Sequence, residues 1–239
     1  MILFIKNVQI EGPETMGLYF RNRGFEIKEI DLQNKDFLPE NFDDIEAVVC
    51  LGGPMNVYEE EKYPFLKAET QFIRDIVQKE IPFLGVCLGS QLLAKACQGK
   101  VVESPNREVG FYNVQLTKDA QGDPLFKSID LEIKVYQWHQ DMSEIPQRAK
   151  LLAKAELCPV QAFRVGRCAY GFQFHIAITD KSIEQCSDEY SSDKKRCKEE
   201  KEMMLKEYKS IKSSFHSLAE KFYDYFLGII TNESCSRTN

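Results

Sequence analysis

The sequence predicts an α/β fold: a central, mostly parallel sheet with helices on both faces, joined by a small antiparallel layer. Three observations carry this. Strand-like and helix-like segments alternate through the first hundred residues, as in successive βαβ units. Two strand segments, 46–53 and 81–87, are near-continuous apolar runs of the kind buried on both faces. Beyond residue 100 the pattern changes to short strands between turn residues, and then to one long amphipathic helix.

The elements follow in order. ILFIKNVQI (2–10) reads as a strand, and Pro13 to Arg23 as a short helix carrying Met16, Leu18, Tyr19 and Phe20, closed by Gly24. FEIKEIDL (25–32) and EAVVCLGG (46–53) are strands. Phe65 to Lys79 has the apolar spacing of a helix, IPFLGVC (81–87) is a buried strand, and LGSQLLAKACQ (88–98) is a helix closed by Gly99. Short strands are expected near 100–103, 109–117, 131–136, 150–155, 160–165 and 168–174. Residues 182–193 are polar and carry no assignment. Glu199 to Ile229 is a helix, with Met204, Tyr208, Ile211, Phe215, Leu218, Phe222, Phe226 and Ile229 at steps of three and four.

A chain of 239 residues can bury one substantial core, and no repeat or linker divides it, so a single domain over 1–239 is expected. The formal net charge of -6, with no run of lysines and arginines, argues against a nucleic-acid partner. The N-terminus lacks the long apolar stretch and cleavage site of a signal peptide. No eighteen apolar residues run together, so no membrane span is expected, and the expected location is cytoplasmic. The eight cysteines show no CxxC and no Cys/His pair at ligand spacing. That pattern predicts reduced thiols, Cys197 and Cys235 among them, with no structural metal and no cofactor.

The chemistry centres on G-V-C-L-G at 85–89. It follows an apolar strand and opens a helix, the context in which a G-x-nucleophile-x-G elbow is meaningful. Such a turn strains the nucleophile, while its glycines let strand and helix approach closely. The thiol of Cys87 would face a helix N-terminus, which favours thiolate, and the Leu88 N–H would point at a developing oxyanion. The competing reading is a buried core cysteine, which is how Cys50 and Cys97 are read, since they lack the glycine frame.

A cysteine nucleophile needs a base, and the chain has three histidines. His175 closes GFQFH at a strand end, where open parallel sheets place their sites, as does Cys87. His139, in YQWHQD, is read as lying in a turn and less suited to be the base. His216, one position past the apolar stripe of the last helix, is read as a surface residue. Gly52-Gly53-Pro54 ends another buried strand. It is either an ordinary turn or a backbone donor for the oxyanion.

At these residues the sequence resembles the class I (triad) glutamine amidotransferase family, particularly stand-alone members similar to the glutaminase domain of GMP synthase. The motifs are LGGPMNVY (51–58), PFLGVCLGSQLLAKACQGKV (82–101), EVGFYNV (108–114), WHQD (138–141) and GFQFH (171–175). The resemblance implies a flavodoxin-like amidotransferase fold over roughly 1–180 and hydrolysis of a γ-glutamyl amide. Cys87 would form a thioester, His175 would protonate the leaving amine, and the N–H groups of Gly53 and Leu88 would hold the oxyanion. Gln91 and the segment His139, Gln140 and Asp141 would hold the amino-acid end of glutamine, the latter largely through backbone.

One departure stands out. The family reads His-x-Glu where this chain reads His175-Ile176-Ala177, so the carboxylate that orients the histidine is missing. In serine triads that acid is worth on the order of 10⁴-fold. A cysteine site should need it less if Cys and His rest as thiolate and imidazolium. The expectation is reduced rather than abolished activity if Ala177 is native; the alternative is an alanine introduced to trap substrate. Asp180 is a possible substitute close in sequence. The implied partners are glutamine or a γ-glutamyl small molecule, and a separate synthase subunit or a second copy of the chain. The alternative is an impaired relative that binds or regulates without catalysis.

Overall fold

The computed structural model describes residues 1–190 and 194–232, apart from the side chains of 194–197. Cys235 and the thiol of Cys197 lie outside the described residues, as do 191–193. The other six cysteines are free thiols.

One nine-stranded sheet runs through the molecule in the order β2-β1-β3-β4-β9-β8-β7-β5-β6. Its first half is parallel: β1 (Ile2–Lys6) pairs with β2 (Ile27–Asp31) and β3 (Ala47–Cys50), β3 with β4 (Phe83–Val86), and β4 with β9 (Ala169–Phe172). From β9 onward the pairing is antiparallel, through β8 (Ala162–Val165), β7 (Lys150–Lys154), β5 (Val101–Leu116) and β6 (Glu132–Ser143). The antiparallel strands therefore continue the parallel sheet edge to edge.

Strand alternation explains the two-sided covering. In β1, Ile2 and Phe4 join one core cluster and Leu3 and Ile5 the other; in β3, Ala47 and Val49 part from Val48 and Cys50 in the same way. On one face lie α2 (Phe65–Gln78), through Leu66, Ile73 and Ile76, and α3 (Leu88–Ala96), through Leu92 and Leu93. On the other lie α1 (Glu14–Asn22), through Met16 and Phe20, and α6 (Lys194–Thr231), through Phe222, Phe226 and Ile229. The one-turn α4 (Lys118–Gln121) is capped by the Thr117 side chain. The unassigned stretch forms α5 (Asp180–Tyr190), which packs with α6.

Several boundaries differ from expectation. β1 stops at Lys6, because the chain turns at Asn7, whose amide donates to Leu51 O at 3.2 Å. The strands expected at 100–103 and 109–117 are one strand, β5, with an irregularity between Glu103 and Glu108. The segment His139-Gln140-Asp141, read as a turn, lies within β6. His216 is half-buried rather than on the surface, with Nε2 2.7 Å from the Tyr208 hydroxyl. No helix among the described residues is long and apolar enough to cross a membrane.

Candidate active site

The elbow is set by contacts that only glycine permits. Cys87, between β4 and α3, has φ 52° and ψ -109°, a strained conformation for a side-chain-bearing residue. A Cβ on Gly89 would stand 2.2 Å from the carbonyl oxygen of Cys50, and one on Gly85 would stand 2.4 Å from that of Gly89. The N-terminus of α3 thus sits directly on the ends of β3 and β4. Gly89→Ala is expected to cost about 3 kcal/mol, the upper end for overpacking, because the obstacle is backbone. Denaturant unfolding would measure it, and an unchanged midpoint would mean that α3 can retract freely.

Cys87, His175, Ala177, Gly53 and Gln91 line one cavity of about 490 Å³, together with His139, Gln140 and Asp141. This volume is in the range of small-molecule sites. The Cys87 N–H donates to Phe172 O at 2.7 Å, tying the elbow to β9. Its thiol lies 3.8 Å from Trp138 O and 3.8 Å from the Gln173 side-chain amide nitrogen. Leu88 itself is buried, but its backbone N–H is directed at the sulfur, where it favours thiolate. That pull loses. Burial first, and the Glu11 carboxyl second, hold the Cys87 thiol far above its ordinary range.

The base is held just past β9. His175 N–H donates to Tyr136 O at 2.8 Å, forming an isolated antiparallel bridge to β6. Burial lowers the imidazole to about 4, and the neighbouring His139 adds to the effect. The expectation of a resting thiolate–imidazolium pair is therefore corrected: desolvation penalises both charged forms, and the pair rests neutral. His175 Nε2 is buried without a hydrogen-bond partner. Ala177 lines the same cavity but supplies no carboxylate to that ring. Asp180 does not replace it, because its carboxylate pairs with Lys212.

Gly53 is crowded: a Cβ there would meet Asn7 Cβ at 3.0 Å and both Leu88 Cδ2 and Met55 Sδ at 3.1 Å. The turn therefore packs against the start of α3. Gln91 Nε2 donates to Asp141 O at 3.1 Å and lies 3.3 Å from Gln173 Oε1. His139 uses Nδ1 on Asp141 O at 3.1 Å, and its Nε2 stands 2.9 Å from Glu108 Oε2. The Gln140 amide donates to Ser104 O at 2.9 Å. These side chains brace the β6 backbone, so a ligand would meet that backbone rather than their polar ends. Burial raises the Asp141 carboxyl above its ordinary value.

Four residues outside the predicted set complete the site. Gln173 touches the thiol and Gln91, and Glu108 and Gln161 extend the buried polar chain beneath His139, Gln161 Nε2 donating to Glu108 Oε2 at 3.1 Å. Gln173 and Glu108 lie in the GFQFH and EVGFYNV motifs, which could have flagged them. The fourth, Glu11, left no such signal. Cys158 also approaches Glu108 and His139, the three donor atoms lying within 4.8 Å of one another. Its thiol is directed to Val160 O at 3.6 Å, and Glu108 already accepts from Gln161.

Fold and geometry define an α/β protein with a cysteine elbow at the carboxyl ends of a parallel sheet. Comparisons narrow this. The profile described as glutamine amidotransferase class-I matches residues 16–179. The chain is 33% identical over 180 residues to a putative glutamine amidotransferase-like protein, YfeJ, of Salmonella typhimurium, covering 73% of this chain and 75% of that one. It is 33% identical over 148 residues to the GMP synthase of Caldanaerobacter subterraneus, covering 60% of this chain but only 27% of that protein. Among solved structures, a glutamine amidotransferase from Thermotoga maritima superposes with a TM-score of 0.87 at 32% identity, covering 97% of this chain and 98% of that one. The chain belongs to the class-I glutamine amidotransferase family, whose general chemistry is hydrolysis of the glutamine amide.

Proposed function

We propose that this protein hydrolyses the side-chain amide of glutamine, or of a γ-glutamyl amide or peptide, through a thioester at Cys87. The observation that carries the reading is the elbow itself: a strained cysteine with the Leu88 N–H on its sulfur and His175 in the same cavity. The Cys87 proton passes to His175 as the sulfur attacks the amide carbon. The resulting oxyanion is met by the N–H groups of Leu88 and Gly53. Collapse breaks the C–N bond, and His175 returns its proton to the departing nitrogen. Water, deprotonated by the same imidazole, then cleaves the thioester and frees the carboxylate and the thiol.

Gln91 and the β6 backbone at His139–Asp141 hold the amino-acid end. The whole chain, closed by α6, acts as one amidotransferase domain in the cytoplasm, where its thiols stay reduced. The free amine goes to solvent or to a separate synthase. A free-standing partner of that kind has a precedent in name in a glutamine-hydrolysing GMP synthase subunit of Pyrococcus abyssi. That protein is 35% identical over 97 residues, which cover 40% of this chain and 50% of that one.

The reading is tested by incubating the protein with glutamine and with γ-glutamyl dipeptides and measuring glutamate release. An electrophilic glutamine analogue, followed by mass mapping of the Cys87 peptide, supplies the covalent readout. Release with one substrate class and an adduct on Cys87 are expected. Ala177 favours a second reading, a catalytically impaired protein that binds or regulates. Glutamine binding with neither release nor adduct would establish that one instead.

A further inference from the structure

The chemistry at His175 lacks the carboxylate expected two residues on, yet a carboxylate reaches the same ring from another part of the chain. Glu11 lies in the loop between β1 and α1 and lines the cavity. A Cβ built on Gly52 would stand 2.2 Å from Glu11 Oε2 and 3.3 Å from His175 Cε1, the carbon between the two ring nitrogens. Gly52 therefore keeps open a gap only one methyl wide, with the carboxyl group on one side and the imidazole on the other. The far oxygen, Oε1, accepts a hydrogen bond of 2.9 Å from the Tyr190 hydroxyl at the end of α5. Tyr190 is itself braced edge-on against Trp138, whose carbonyl oxygen takes the Cys87 thiol.

We propose that Glu11, anchored by Tyr190, is the positioning carboxylate of His175 in this chain, taking the place of the glutamate absent at 177. The proposal rests on the hydrolytic reading above and adds a residue that the family motif does not supply. At rest the carboxyl is held up to about 7 by desolvation, while Tyr190 opposes the rise. When His175 takes the Cys87 proton, the imidazolium and the Glu11 carboxylate face each other across the Gly52 gap. Their attraction then stabilises the charge that burial penalises. Glu11 makes and breaks no bond; it holds the cation until His175 gives the proton to the leaving nitrogen.

Other titratable groups surround Glu11. Tyr190 and Cys186 face it from α5, Tyr136 from β6 and Cys87 from the elbow. Burial raises all four, the Cys186 thiol to about 12, so they stay protonated near neutrality. Glu14, at the start of α1, is raised by burial and bonded to Thr179; Arg107 and Glu200 also line the cavity. Glu11 and His175 are thus the pair expected to titrate together around the working pH.

The test compares the wild type with Glu11→Gln, which keeps the shape and can still accept from Tyr190, and with Gly52→Ala, which puts a methyl in the gap. Both should lower kcat/KM for glutamate release by about 10²-fold, less than the loss of the acid from a serine triad. Adding Ala177→Glu to Glu11→Gln should restore at least about tenfold of that loss, since it returns a carboxylate to the family position. The wild-type rate should rise with pH through about 7, as Glu11 ionises, and this limb should be missing from Glu11→Gln.

A second readout needs no substrate: the rate of Cys87 alkylation by iodoacetamide at neutral pH, followed by peptide mapping. A carboxylate that supports the imidazolium favours thiolate, so Glu11→Gln should slow alkylation severalfold. If Glu11 acts on the sulfur only as a repelling charge, the same variant should speed alkylation, and that outcome overturns the proposal. Unchanged alkylation overturns it too, as does a loss of turnover that Ala177→Glu does not rescue. If no substrate turns over in any variant while alkylation slows, the hydrolytic reading fails and the Glu11–His175 pairing stands. Should Glu11→Gln fail to fold, Gly52→Ala carries the same comparisons.

Discussion

Cys87→Ala is expected to abolish turnover, lowering kcat by at least about 10⁴-fold, while leaving the fold and glutamine binding in place. The size follows from what is lost. Without the sulfur there is no thioester, and water would have to attack the amide directly with only the oxyanion donors to help it. Cys186 lines the same cavity but cannot take over, since it lies on α5, away from the α3 N-terminus, and its thiol is pushed up to about 12. Alanine would fit, because the φ of 52° is imposed by the packing of Gly85 and Gly89 around position 87. Calorimetric titration with glutamine and an assay of glutamate release check both halves. Turnover surviving in the variant would mean that the nucleophile is elsewhere.

Much of this site can be read locally, and the rest cannot. The elbow is a contiguous pattern of apolar strand, glycine, cysteine, glycine and helix, so its geometry follows from neighbours in sequence. The parallel half of the sheet is equally plain, because strands buried on both faces are apolar throughout. β6 is harder. Its Trp138-His139-Gln140-Asp141 stretch looks like a polar turn, and becomes a buried strand only because Glu108, Ser104 and Gln91 satisfy its polar groups from other elements. β5 reads as two strands because of the polar residues between Glu103 and Glu108, where the ladder is irregular.

The resting charge state escapes the sequence for a related reason. A helix N-terminus acting on a thiol is a local effect, whereas the desolvation that overrides it comes from the closed cavity. Glu11 is the extreme case. It lies 164 positions from His175 and 179 from Tyr190, and nothing near it in sequence marks it as a partner of either. Only the folded chain brings β1, β3, β9 and α5 to one point.

Replacing His175 by alanine should cost about as much as losing Cys87, on the order of 10³–10⁴-fold in kcat, and the double variant should be no worse than the more damaging single one. The two side chains act as one unit. At rest the thiol is directed at Trp138 O and its pKa is far too high for it to ionise alone. The sulfur therefore becomes nucleophilic only by giving its proton to a nearby base. Additive losses in the double variant would mean that each residue works separately, contrary to this mechanism.

The same histidine has a signature in stability. Its folded-state value of about 4 lies below the ordinary 6.5, so the unfolded chain binds the proton first. Its contribution is fully present above about 6.5 and is lost as the pH falls through about 4, a difference of roughly 3 kcal/mol at most. His175→Ala should therefore gain stability relative to the wild type as the pH is lowered through that window. Paired unfolding curves at neutral and acid pH would show it. A stability difference that stays constant between them would mean that the imidazole is already charged in the folded protein, and the neutral resting pair would have to be abandoned.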